Sequence, residues 1–525
     1  MTPSSSSVMR QITRSTGVVM ASVLLSRILG FLRDWTVAHQ IGSNASTDAY
    51  YAAFTLPDFL NYLVAGGSLS LIFIPVFTKY VAEGAEDEAW HVFSTVLTFM
   101  GLVLLLLVIV AEVFAPRLVH VIAPGFNATE KARVVSLTRL MLPAQICFYL
   151  GGVLTAVQYA KAQFVVPSLA PIIYNLAIIA GGVLLSSRLG IAGFSVGVVC
   201  GALVGNFGLQ VYGATRAGAR FRPNLDLRHP GFRLFVRLAI PIMLALSLVF
   251  TDDWIIRWFG SYLRAASITW LNYGKTLMRV PLGVVGQAVG VASFPFLAQL
   301  YSDKKYGELN RTLNSTLRGL ILLLVPISAL TMAESRPLVR LVFSHTRLGP
   351  ADLGATASTL VLFSLGMFAW AAQNIVARGF YAARDTLTPA VVGTIFTVLN
   401  IPVYWLLVRR FEHLGLALAS SIGIIVYTLV LFGLLKRRLP GYQASALFLF
   451  FLKIAAISAA AGLVTFRLTG WLSGHWSATS ARGAFVVLIL VTPAGALLTL
   501  LLAWILRVRE VGDWLKKEPA ADSTL

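Results

Sequence analysis

The chain has 525 residues, of which 57% are hydrophobic and only 12% charged, with a formal net charge of +20. Continuous apolar runs recur from end to end, which excludes a soluble enzyme and argues against a β-barrel, whose strands would alternate. The positive balance would suit nucleic acid in a soluble protein. Here the basic residues fall mostly in short connections between apolar runs, the pattern that orients membrane helices, so no nucleic-acid partner is expected.

Taken in order, a polar start over residues 1–16 shows no cleavable signal pattern and leads straight into the first span. The hydropathy predicts an all-α polytopic membrane protein with about fourteen transmembrane helices, at 17–41, 50–80, 91–115, 135–159, 166–187, 190–215, 234–260, 266–300, 312–333, 355–380, 387–408, 413–435, 445–470 and 483–506. Spans two and eight exceed the minimum and must tilt or extend beyond the bilayer. With the N-terminus inside, cytoplasmic segments hold 23 Lys or Arg and external ones 12, which places both termini in the cytoplasm. The residues from 510 to 525 form a polar cytoplasmic tail.

Four short stretches repeat in the same order. Tyr159-Ala-Lys-Ala-Gln-Phe-Val-Val-Pro167 resembles Tyr381-Ala-Ala-Arg-Asp-Thr-Leu-Thr-Pro389, and Phe73-Ile74-Pro75 resembles Ser293-Phe294-Pro295. Ala115-Pro116-Arg117-Leu118-Val119 resembles Arg336-Pro337-Leu338-Val339-Arg340, and Leu189-Gly190-Ile191-Ala192 resembles Leu414-Gly415-Leu416-Ala417. The offset spans six helices, an even number, so both copies enter the membrane in the same direction. That predicts two parallel six-helix bundles, at 17–215 and 234–437, joined by a basic cytoplasmic linker at 216–233, with a binding site between them. Two additional helices, within 438–509, lie outside the repeat.

Charges inside the spans carry the chemistry. Arg27, Arg33 and Asp34 sit in the first span, where each charge costs at least ~2.5–3.5 kcal/mol near the bilayer centre. Arg27 and Asp34 share one helical stripe, with Arg33 beside it. An internal ion pair and an anion-binding cavity wall are the two readings. In span seven, Asp253 and Arg257 have the spacing of a helical salt bridge, with Asp252 alongside. In span eight, Lys275 and Arg279 have the same spacing but like charge, so two cations on one buried face need an anion nearby. These three charges of span seven are candidates for gating or coupling, with Lys275 pairing to Asp252 or Asp253 in one transport state. Gly274-Lys275-Thr276 mimics the end of a phosphate-binding loop, but Thr269 stands where its first glycine is needed. No cofactor or nucleotide site is expected, and transport would draw on membrane potential or an ion gradient. Cys147 and Cys200 fall inside predicted helices and the seven histidines are scattered, so neither a disulfide framework nor a metal site is expected. Prolines 57, 75, 281 and 295 mark kinks or hinges. The six arginines from Arg216 to Arg237 are explained by topology or by contact with anionic lipid.

The opening Ser26-Arg27-Ile28-Leu29-Gly30-Phe31-Leu32-Arg33-Asp34 resembles the MurJ/MviN family of lipid II flippases. The likeness continues at Thr47-Asp48-Ala49, Phe54-Thr55-Leu56-Pro57, Ala123-Pro124-Gly125-Phe126 and Gly379-Phe380-Tyr381. The resemblance implies a bacterial inner-membrane transporter for the peptidoglycan precursor lipid II, an undecaprenyl-pyrophosphate-linked disaccharide-pentapeptide. It implies alternating access, a lipid-tail groove along the last two spans, membrane lipids as surroundings and cell-wall synthesis machinery as partners. Arg27, Arg33, Asp34 and Asp48 match its charged positions, and Lys275 with Arg279 would complete the substrate site. Arginine's planar fork suits pyrophosphate oxygens. The chain departs from the family at Asn61 and Tyr62, at Gly66 and at Thr276, where charged residues are common. Another polyprenyl-pyrophosphate-linked glycan is therefore an alternative substrate. An ion-coupled multidrug exporter would want an acidic cavity, and a membrane glycosyltransferase would show a catalytic carboxylate cluster in a large loop.

Overall fold

The computed structural model describes residues 5–65, 68–247, 251–383, 385, 387–439, 444–475, 480–508 and 510. Gly66 and all of the tail beyond Glu510 lie outside them, as do the side chains of residues 5–16 and of Pro295. Every regular element among the described residues is helical. In chain order these are α1 (Ser5–Gln40), α2 (Ala45–Ala53), α3 (Thr55–Leu60), α4 (Ser68–Ala82), α5 (Glu86–Ile122), α6 (Ala128–Met141), α7 (Ala144–Ala160), α8 (Val165–Leu189), α9 (Ala192–Gly201) and α10 (Leu209–Arg216). There follow α11 (Pro230–Ser247), α12 (Thr251–Gly260), α13 (Ser267–Ser302), α14 (Tyr306–Ala333), α15 (Ser335–Phe343), α16 (Pro350–Leu365), α17 (Met367–Ala382), α18 (Leu387–Arg438), α19 (Ala444–His475) and α20 (Ala481–Ile505). Wider π-helical turns interrupt the second and sixth predicted spans at Asn61–Ala65 and Ala202–Gly208.

Among the described residues, nine helices or helix pairs are long and apolar enough to cross a membrane, and they carry ten of the expected spans. One of them, α18, holds two spans, because its backbone breaks at Glu412 (φ 48°, ψ −130°). The stretches around Pro116 and Arg336, which fall outside the predicted spans, are helical: α5 runs on to Ile122 and α15 begins at Ser335.

The chain divides into two compact units, Met1–Thr269 and Trp270–Leu525, with the division inside α13. Helix starts recur along the chain. Ala45, Glu86, Ala128, Ala144 and Val165 are followed 220–223 residues later by Ser267, Tyr306, Pro350, Met367 and Leu387. The internal repeat read from four short motifs thus extends to the element boundaries.

In the first unit the core forms where α4, α5, α7 and α11 meet, around Phe73, Phe77, Phe93, Tyr149 and Phe235, all essentially inaccessible. Helix α9 and the turn after it carry glycine at 193, 197, 201 and 205, one per turn on one face. Their backbone rests directly on α8 at Gly181, Ile178, Tyr174 and Ala170, the close approach that small residues allow between membrane helices. Prolines free carbonyls that other helices satisfy. Pro57 has no amide to bond Ala53, and the Thr138 hydroxyl donates to that carbonyl instead (3.1 Å). Pro116 leaves the Glu112 carbonyl, which Arg139 Nε fills (3.0 Å). Both replacements come from α6, so these kinks are fixed by packing rather than loose.

In the second unit α14 packs on α17 and α19, and α19 on α20. Gly462 lies against Ala329, and Gly495 against Leu330 and Thr465. At the end of α14 the Glu334 carboxylate is 2% exposed and accepts from the Thr492 hydroxyl (2.6 Å).

Candidate functional site

Helix α1 lies on α8 through small residues one turn apart. The Ser22 hydroxyl donates to the Ser168 carbonyl (2.7 Å), Asn175 Nδ2 donates to the Ser26 carbonyl and hydroxyl (3.4 Å each), and Gly30 lies beside Asn175. This docking fixes the rotation of α1 and so the direction of its charges. Asp34 is 4% exposed, and its Oδ1 accepts from Arg33 Nε (3.2 Å) and Nη2 (3.1 Å). Adjacent residues rarely face one another on a helix; the arginine reaches back because its carbon stem is long. Arg33 keeps 28% of its side chain exposed while its guanidinium is paired with Asp34. Arg27 is exposed, and among the described residues no carboxylate pairs with it. Of the two readings of the first span, the ion-pair reading describes Arg33 and Asp34, and the open cation is Arg27.

Asn44 caps α2 by accepting from the amides of Ser46 (2.8 Å) and Thr47 (3.3 Å). The cap turns Asp48 inward, to 1% exposure. Its Oδ1 accepts from the Thr269 amide (2.8 Å) and hydroxyl (2.6 Å). Thr269 lies in the first turn of α13, where amides have no intrahelical acceptor and the helix dipole favours a carboxylate. Asp48 therefore acts as the N-terminal anchor of the helix that goes on to carry Lys275 and Arg279.

Arg257 on α12 donates through Nη1 to Thr55 Oγ1 (3.2 Å) and Asp58 Oδ2 (3.3 Å). The sequence reading placed Arg257 with Asp253 and did not single out Asp58. The available signal was an acid directly after Thr55-Leu56-Pro57 in an apolar run. Asp252 and Asp253 are half-buried in the same unit, and both engage other groups. Asn61, one of the departures from the family pattern, donates through Nδ2 to Gln145 Oε1 (3.3 Å).

In the second unit Lys275 is 5% exposed, with Nζ over the rings of Trp370 (5.4 Å) and Phe363 (5.6 Å). Ring faces stabilise a cation that has lost part of its water. Arg279 is exposed. The two cations, one turn apart on the same helix, thus differ in exposure: Lys275 is buried and Arg279 is exposed. Gly274 lies against Thr359 and the Leu360 backbone, so Gly274-Lys275-Thr276 is a helix-packing stretch and not a phosphate loop. Trp270 Nε1 donates to Asp352 Oδ1 (2.9 Å), and Thr359 donates to the Trp270 carbonyl (3.1 Å), which seats the start of this segment on α16.

Arginine, lysine and carboxylate held inside the spans of a multi-pass helical membrane protein mark a functional pathway through the bilayer. The solved structures agree on the fold. One described as "Lipid II flippase MurJ, inward closed conformation" superposes with a TM-score of 0.79, covering 94% of this chain and 99% of that one at 22% identity. A multidrug resistance MATE family transporter of the MOP superfamily, inward-facing, gives 0.64 over 82% of this chain and 98% of its own at 13% identity. The chain belongs to the lipid II flippase MurJ family, whose model matches residues 37–486. Its relatives include "Lipid II flippase MurJ" of Burkholderia cenocepacia, 27% identical over 474 residues and covering 88% of this chain and 90% of the relative. "Probable lipid II flippase MurJ" of Thermotoga maritima is 26% identical over 492 residues, covering 94% and 96%.

Proposed function

We propose that this protein is a lipid II flippase, a transporter rather than an enzyme, which carries the lipid-linked peptidoglycan precursor from the inner to the outer leaflet by alternating access. The observation that carries this reading is the family match across residues 37–486, which runs through both structural units. The arrangement that serves it is a parallel pair of six-helix bundles, 17–215 and 234–437, with the linker 216–233 between them and a tail groove formed within 438–509. Recurrence of the helix starts at 220–223 residues supports that pairing. The bilayer is the bacterial inner membrane, with both termini cytoplasmic.

In this reading Arg27, Arg33, Lys275 and Arg279 meet the pyrophosphate, and Asp34 and Asp48 hold the cation and the helix in place. Arg27 and Arg279 are the exposed members, suited to first contact. Arg33 and Lys275 hold charge already compensated by Asp34 and by aromatic rings, and can exchange that compensation for phosphate. Asp252, Asp253 and Arg257 serve gating or coupling, and the energy comes from membrane potential or an ion gradient.

The deciding experiment is complementation. A bacterium depleted of its own lipid II flippase should regain growth, and lipid II should reappear at the outer leaflet, when this chain is expressed. Normal membrane abundance without rescue would refute lipid II as substrate and turn attention to another polyprenyl-pyrophosphate-linked glycan.

A further inference from the structure

The connection between α10 and α11 is not helical, yet it is tightly held. Residues 220–229 lie along the first turns of α5. Arg220 Nη1 donates to Asp87 Oδ1 (3.2 Å), and the Arg222 amide donates to Ser94 Oγ (3.1 Å). Asn224 Oδ1 accepts from the Thr95 hydroxyl, and Asn224 Nδ2 donates to the His91 carbonyl (3.3 Å). Asp226 Oδ2 meets His91 Nε2 (3.2 Å), and His229 Nε2 meets Glu88 Oε2 (2.8 Å). The inward side of this strap is thus Asn224, Asp226 and His229, and its one acid is spent on His91.

The outward side alternates with it. Phe221, Leu225 and Leu227 are 50%, 53% and 43% exposed. Arg220, Arg222 and Arg228 lie exposed among them, and Arg233 and Arg237 follow on the exposed side of α11. Among the described residues no carboxylate pairs with the last four of these arginines. One turn before α10 ends, exposed Tyr212 lies under the Arg216 guanidinium (5.2 Å to the ring centroid). Aromatic side chains in such positions mark the level of lipid headgroups.

We propose that this strap is an interfacial anchor: Phe221, Leu225 and Leu227 seat in the headgroup–acyl boundary while Arg222 and Arg228 bind anionic phospholipid headgroups. Alternation of apolar and cationic groups along a polar-backed segment is what a surface lying in that boundary needs. The hydrogen bonds to α5 hold the strap so that this face is formed before lipid arrives. Nucleic acid would use the arginines and leave three large apolar side chains in water. The inference stands apart from the substrate and is tested without it.

The test uses the full chain with Cys147 and Cys200 replaced by serine and one cysteine placed at Phe221, Leu225, Leu227 or, as a control, the exposed Asp303. Each is labelled with an environment-sensitive fluorophore in nanodiscs of phosphatidylcholine alone or mixed with phosphatidylglycerol. The three strap sites should be blue-shifted and quenched by shallow spin-labelled lipid, with at least about twofold more quenching when phosphatidylglycerol is present. Salt above the concentration at which the Debye length falls to ~3 Å should remove that difference, as should Arg222→Gln with Arg228→Gln. The Asp303 label should report water throughout. Labels at all three strap sites reporting water in both lipids would overturn the proposal. So would quenching that is equal in both lipids and indifferent to the arginine substitutions. Protection seen in native membranes but absent from lipid nanodiscs would overturn it in favour of a protein partner.

Discussion

The two repeats solve the same local problems with different residues. Between α8 and the helix after it the chain turns at Gly190 (φ 57°, ψ −136°); 222 residues later it turns at Glu412 with nearly the same angles (φ 48°, ψ −130°). That conformation belongs to glycine, since a side chain there crowds the backbone. The second repeat keeps the turn without the residue that suits it, so the surrounding structure, in which the glutamate engages other groups, holds a conformation the residue itself disfavours. Buried cations differ in the same way. In the first unit Arg33 pairs with the carboxylate of Asp34, and in the second Lys275 lies over Trp370 and Phe363 and engages other groups besides.

The largest effect should come from breaking the ion pair. Arg33→Ala should abolish transport and lower stability, toward the ~3–5 kcal/mol typical of one lost member of a buried pair, somewhat less because Arg33 is partly exposed. Arg33→Lys should transport partially, since a point charge replaces a planar fork. Arg33→Ala combined with Asp34→Asn should regain membrane abundance but not lipid II transport. Full transport by that double variant would show the first-span cation to be structural only.

The turns come next. Gly190→Ala should lower the melting temperature in detergent by the equivalent of about 1–3 kcal/mol through backbone strain alone, because nothing lies within 4 Å of the added methyl. Glu412→Gly relieves that strain but also removes the contacts of the glutamate, so its melting temperature should change by less than Gly190→Ala changes it, within about 1 kcal/mol either way. A large loss at Glu412→Gly would mean that the glutamate side chain holds the turn.

The aromatic compensation should be worth less than the carboxylate. Trp370→Leu should destabilise by about 1–2 kcal/mol, measured as a thermal shift, and less than Asp34→Asn does. A reversed order would place the weight of charge compensation in the second unit.

The smallest effect concerns the matching turns after Tyr159 and Tyr381. Lys161 donates to Glu86 (2.6 Å), and that hydrogen bond and charge hold the glutamate below its usual range. Burial alone would raise the Asp385 carboxyl. Hydrogen bonds from the Thr388 hydroxyl (2.7 Å) and amide (2.9 Å), with the Arg438 charge (2.9 Å), outweigh it and hold the group below its usual range. A depressed folded value means stability present above the ordinary carboxylate range and lost as pH falls through the folded value. Asp385→Asn should therefore melt slightly below the parent at neutral pH, with the gap closing under ~pH 4. A gap that persists in acid would show that shape rather than charge holds the helix start.

Much of this protein was determined by sequence alone. Continuous apolar runs leave a chain no structure in lipid but helices, because every backbone group must be satisfied within its own segment. Motif spacing gave the repeat, and the first-span motif with its companions gave the family. Tertiary structure alone decided the pairings. Arg257 meets Asp58, nearly two hundred residues away in the chain, Asp48 anchors the start of a helix more than two hundred residues on, and Lys275 is buried while Arg279 is not. Hydropathy is summed along the chain and reads period and length; a charge finds its partner through the rotation and depth of helices packed side by side, which small residues such as Ser22, Ser26 and Gly30 set and no single stretch of sequence contains.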